Sequence, residues 1–141
     1  LNNDGLGLSE SGIRKEMRDF YERNTEVRPG YERFHVRLPI CRPDGWAFEF
    51  EIQPQKDGTL TLSDGGVAAE FLEDYGHSLD HSAIRDAIHG KRAPGFYLEG
   101  RELKRNVHPA AEALQLFVED VVVLLIRISM NDGEGEDNSY D

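Results

Sequence analysis

The sequence predicts an α+β fold: a small antiparallel meander sheet with a β-hairpin, packed against N-terminal, central and long C-terminal helices. Three observations predict it. Between residues 31 and 63, apolar and polar residues alternate in three runs separated by short Gly-containing turns. At Ser63-Asp64-Gly65-Gly66 the apolar period changes from two to that of a helix. Residues 109–130 then keep helical spacing over about 30 Å at ~1.5 Å per residue, the width of a small domain.

Residues 1–8, rich in Gly and Asn, read as a flexible N-terminus, residues 9–130 as one domain, and residues 131–141 as an acidic disordered tail. Ser9 has the chemistry of a helix N-cap, and Leu8 and Ile13 stand at the spacing of a hydrophobic staple. Ile13, Met17, Phe20 and Tyr21 share one face of a helix over 10–23, which must therefore lie on something. Val27-Arg28-Pro29-Gly30 reads as a break. From Tyr31, Phe34, Val36, Leu38 and Ile40 point one way, and Arg33, His35 and Arg37 the other. Pro43-Asp44-Gly45 is a turn signal, after which Trp46, Phe48, Phe50 and Ile52 alternate with Glu49 and Glu51. Lys56-Asp57-Gly58 turns into the third run, 59–63. On the outer face, Arg33, His35 and Arg37 are placed to meet Glu49 and Glu51, at ~0.2–1 kcal/mol per cross-strand pair.

Ser63, Asp64, Gly65 and Gly66 form the corner where sheet hands over to helix. The side chain of Ser63 or Asp64 is suited to accept from the first helical amides, and the two glycines permit the change of direction. Val67, Ala68, Phe71, Leu72 and Tyr75 make the buried stripe of the next helix, and Gly76 stops it. A short helix over 80–89 turns Ile84, Ala87 and Ile88 inward. After a loop at Ala93-Pro94-Gly95, residues 96–99 and 101–104 form a hairpin about Gly100. In the last helix, capped by His108 or Asn106, Ala113, Leu114, Phe117, Val121, Leu124, Leu125 and Ile128 form one stripe, while Val122, Val123 and Ile126 lie off it. A helix apolar on two sides is either sandwiched within its domain or buried against a partner, so Val122, Val123, Ile126 and Met130 are a candidate apolar interface and a route to a homodimer.

The chain has 141 residues, enough for one core without staples, and its single cysteine, Cys41, excludes an internal disulfide. No apolar run approaches the ~18 residues of a membrane span, and residues 1–11 carry no signal-peptide pattern. The expected address is the cytoplasm, or the host cytoplasm for a phage-encoded chain. With 27 acidic and 16 basic residues the formal charge is −11; the tail from Asp132 holds five of the acids. An excess of this sign repels phosphate backbones and argues against direct nucleic-acid binding, while suiting either solubility or mimicry of a nucleic acid. Glu49, Glu51, Glu70, Glu73 and Asp74 are the candidate acidic interface for the latter.

The order of elements also resembles a known family. The meander, Leu-Ser-Asp-Gly-Gly at 62–66, Phe71-Leu72 with Gly76 after it, Gly-Arg-Glu-Leu at 100–103 and the closing apolar helix together look like the prokaryotic family filed as domain of unknown function 1828. That resemblance covers roughly residues 34–130. It implies a fold and a mobile-element or phage origin, and carries no activity or catalytic residue.

For chemistry, Asp64 beside glycines is the first candidate base or metal ligand, with Glu70, Glu73 and Asp74 near in sequence; helix capping competes with that role. Capping alone would leave Asp64→Asn nearly neutral and make Asp64→Leu destabilising. His77, His81 and His89 have the spacing of zinc ligands, but no cysteine or fixed carboxylate completes a set, so no metal or cofactor is assigned. Cys41 beside Arg42 reads as a plain thiol. Arg85, Lys91, Arg92, Arg101, Lys104 and Arg105 would form a positive patch if the hairpin folded over the short helix. The expectation is a non-enzymatic protein-interaction or regulatory module that binds a protein partner. The alternatives are an acidic inhibitor of a nucleic-acid-binding defence enzyme, of anti-CRISPR or anti-restriction type, and a metal-dependent enzyme centred on Asp64.

Overall fold

The computed structural model describes residues 9–89 and 95–130. The expected N-terminal and acidic C-terminal segments, together with Lys91 and Arg92, lie outside the described residues. The elements run α1 (Glu10–Asn24), β1 (Glu26–Gly30), β2 (Arg33–Cys41), β3 (Ala47–Pro54), β4 (Leu60–Ser63), α2 (Val67–Asp74), α3 (Ser82–His89), β5 (Phe96–Glu99), β6 (Glu102–Val107) and α4 (Ala111–Met130). The fold is α+β, with one antiparallel sheet of six strands in the order β1-β2-β3-β4-β6-β5.

Two features enlarge the three-stranded meander expected from sequence. Val27-Arg28-Pro29-Gly30 does not break the chain but forms most of β1, paired with β2 from Glu26↔Arg37 to Gly30↔Arg33. Proline is tolerated there because β1 is an edge, where a missing N–H need not cost a ladder bond. The hairpin does not stand apart either. Strand β6 enters between β5 and β4, pairing Leu60↔Val107 through Ser63↔Lys104, so meander and hairpin become one sheet.

The strand alternation decides which side is covered. Val36, Leu38, Phe48, Phe50, Leu62, Leu103 and Phe96 point to one face and are buried beneath α2, α3 and α4. Phe117 of α4 is wholly buried between Phe50 and Phe96, with ring centroids 5.7 and 5.8 Å away, and so touches both halves of the sheet. Helix α4 starts at Ala111, and its core stripe includes Val118, which its spacing alone did not single out.

Two helical expectations need correction. Tyr75 is not part of the buried stripe of α2: it is the C-cap residue, 46% exposed, with its ring stacked on Phe71. Its position beyond the last helical turn removes it from the stripe. Helix α1 starts as expected, with Ser9 Oγ accepting from Gly12 N at 3.1 Å, but it has no buried residue. An amphipathic period specifies an apolar face without specifying that the same chain covers it.

Candidate functional site

The corner after β4 is built around one carboxylate. Asp64 is 2% exposed, and its Oδ1 accepts from Gly66 N at 2.8 Å and Leu103 N at 3.0 Å, while Oδ2 accepts from Ala68 N at 2.8 Å. The amide of Asp64 donates to Leu103 O at 3.1 Å, so the residue caps α2 and at the same time fastens β4 to β6. Gly65 and Gly66 adopt φ of +68° and +90°, which lets the chain turn within two residues. Ser63 does not cap the helix: its Oγ accepts from Gly65 N and donates to Glu102 at 2.6 Å. Burial pushes the Asp64 carboxyl above its ordinary range, opposed by the three amides and reinforced by the charge of Glu102. Both oxygens serve the backbone, which alters the expectation for Asp64→Asn. An amide group in either orientation would point a donor at a donor.

The uncovered sheet face is a polar network. His35 lies opposite Glu51, Glu51 opposite Ser63, Ser63 opposite Lys104 and Lys104 opposite Tyr97, in one row across five strands. Arg33 pairs with Glu51, and His35 Nε2 lies 2.5 Å from Glu49. Arg37 turns instead to Glu26 on β1 at 2.9 Å, a partner unforeseen because that strand was. A cleft of about 230 Å³ beside the corner is lined by His35, Arg42, Trp46, Glu49 and Glu51, and Arg42 is held there by Asp44. Of the candidate acidic residues, Glu49, Glu51 and Glu73 each have a cationic or imidazole neighbour, Arg101 in the last case. Glu70 and Asp74 sit on the exposed side of α2. Cys41 ends β2 and is exposed.

Among the described residues the basic side chains do not form a patch. Alternation along β6 sends Lys104 to the polar face, where it pairs with Glu99, and Arg105 to the helix face, where it bonds Asp120 at 2.9 Å and lies 4.0 Å over the Phe96 ring. Arg101 reaches Glu73, and Arg85 donates to the backbone of Asp80.

The histidines take a structural arrangement. His81 is buried, its Nδ1 accepts from Ala83 N at 3.0 Å at the start of α3, and its ring lies 4.5 Å from that of His77. Among the described residues no three His, Cys, Asp or Glu side chains converge as a metal site. Burial first, and the neighbouring His77 second, hold the His81 pKa below its ordinary 6.5. Between that depressed value and about 6.5 the unfolded chain takes up a proton that the folded chain refuses. The stabilisation is therefore complete above pH ~6.5 and lost as pH falls through the folded value. Thermal melts from pH 8 to pH 5 are expected to fall more steeply for the natural chain than for His81→Asn, which keeps an acceptor for Ala83. Parallel profiles would refute this assignment.

The remaining candidate is apolar. A groove of about 480 Å³ runs between α1, the sheet and α4, lined by Tyr21, Val27, Phe34, Ile52, Leu114 and Val118 among others. A second depression continues it along α4, where Tyr21 and Ile40 face Val118, Val122 and Val123. The candidate interface residues Val123, Ile126 and Met130 are exposed at 48, 39 and 71%, and Val122 is half-buried. Sequence reasoning missed Leu116, exposed on the same side; it named the stripe Ile13, Met17 and Phe20 of α1 but expected it covered, and it stands open. The signal for Leu116 was its seven-residue spacing from Val123, which in turn stands seven from Met130. No helix among the described residues is long and apolar enough to cross a membrane. Comparison of the chain with protein-family models, curated proteins and solved structures finds no match.

Proposed function

We propose that this chain is a non-enzymatic protein-interaction module whose contact surface is the apolar face of α1 and α4 together with the groove between them. One observation carries the reading: a chain with formal charge −11 leaves large apolar side chains open along two adjoining helices and an apolar cleft. Surface of this kind marks association sites more often than it is left bare in water. Asp64, whose carboxylate oxygens bond backbone amides, serves the scaffold on this reading. The groove suits an amphipathic helix, whose apolar face lies in a hydrophobic channel in one of the recurring modes of peptide recognition.

A display library of amphipathic helical peptides, panned against the full chain, is expected to yield binders. Their affinity should fall more than ~10-fold for Ala111→Glu or Val27→Glu, because burying the new charge costs well over the ~1.4 kcal/mol that factor represents. Both positions line the groove and are exposed, so the core is spared. Binders indifferent to both changes, or none at all, would refute the assignment of the groove.

A further inference from the structure

We propose that the outer side of α4 binds a second copy of this chain, the two helices packing antiparallel about a two-fold axis beside Val123. This rests on the reading of the α1/α4 face as an interaction surface, and adds what occupies its outer part.

The spacing along α4 carries the first step. Leu116, Glu119, Val123, Ile126 and Met130 follow one another at intervals of three, four, three and four residues. That is the narrow seam of paired helices, and it is separate from the inner stripe centred on Val121 and Leu125 that covers the sheet. A helix that only covered its own core would have no use for a second seam.

The arrangement of residues about Val123 sets the direction. Leu116 and Met130 each stand seven residues from it, and Glu119 and Arg127 each stand four. An antiparallel copy turned about that point lays Leu116 against Met130 of the second copy, and Glu119 near Arg127 of the second copy. A parallel copy would oppose two Glu119 carboxylates in an apolar seam, which like charges disfavour. Among the described residues Arg127 pairs with Asp86, an exposed contact at 3.2 Å that is cheap to give up.

Exposure and charge agree with a copy of the same chain. The apolar side chains left open on α1 and α4, from Ile126 at 39% to Met130 at 71% exposed, are the surface such a contact would cover; a standard interface takes about 800 Å² from each partner. Tyr21 joins the two helices across the depression beside Val123, so this area is continuous. Helix α1 carries as many bases as acids, so bringing it to an interface adds no net repulsion between two acidic chains. A two-fold contact uses the same patch twice, as a self-complementary seam allows.

Sedimentation velocity of the full chain at tens of micromolar is expected to give a species of twice the 16.0 kDa chain mass. Val123→Glu and Ile126→Glu should each weaken that dimer more than ~10-fold, with circular dichroism unchanged because both positions are exposed. Orientation is read by cysteines in a Cys41→Ser background. Chains carrying Leu116→Cys and chains carrying Met130→Cys, mixed and oxidised, should cross-link to each other, and neither should cross-link to itself. Self-linking through Leu116→Cys, a dimer indifferent to Val123→Glu, or a monomer at every concentration would overturn the proposal. If the chain is a monomer yet groove-dependent peptides still bind, the second copy is wrong and the interaction module stands; if neither is found, both fall.

Discussion

Replacing Asp64 by Leu is expected to lower stability by about 3–5 kcal/mol, since each buried donor left without its acceptor costs about 1–3 kcal/mol. Three amides, those of Gly66, Ala68 and Leu103, would lose their acceptor in a site closed to water. Against a typical domain stability of ~5–15 kcal/mol this threatens folding itself. Asp64→Asn should cost about 1–3 kcal/mol, since one opposed donor pair replaces one of the bonds. Urea unfolding at fixed protein concentration measures both. An Asn variant as stable as the natural chain would show that the carboxylate oxygens are not both needed, and a normal Leu variant would remove Asp64 from the scaffold.

The second large effect is expected at Phe117. Truncation to Ala leaves a cavity at a side chain with no exposed surface, costing about 3–5 kcal/mol. The ring also lies at aromatic packing distance from Phe50 and Phe96, each pair contributing ~0.5–1.5 kcal/mol beyond area burial. Because Phe50 belongs to the meander and Phe96 to the hairpin, its loss should loosen their joint. Denaturation midpoints for Phe117→Ala and for Phe117→Leu, which retains most of the volume, should bracket the effect. A loss under ~1 kcal/mol for Ala would mean that the site collapses around the gap.

What could be read from sequence followed from local period. Alternation through Val36 and Leu38, and again through Phe48 and Phe50, fixed which side chains are buried, although Phe34 at the same period stands 41% exposed, and the register shift between Arg37 and Cys41 was not legible from the turn at Asp44-Gly45. Strand β1 was hidden because Pro29 and Gly30 signal a break unless the strand is an edge, and nothing local says where the edges fall. The insertion of β6 beside β4 was hidden for a different reason. It joins Asp64 to Leu103, 39 residues apart, through a backbone pairing that no side-chain pattern encodes. The capping chemistry of the corner was visible in its residue types, but its second function, the tie to β6, depends on that pairing. On α4 the two apolar sides were legible, and Val123, Ile126 and Met130 lie where the spacing put them; whether α1 covered them was not, because a helical stripe carries no information about its distance from another.

The edge position of Pro29 has a bearing on how copies of this chain can meet. A foreign strand laid along β1 would find no amide hydrogen at that residue, so growth of the sheet by templated addition would forfeit a bond there. Fibril-like stacking is thereby discouraged on that flank, and helix-to-helix encounter is left as the less obstructed route to assembly.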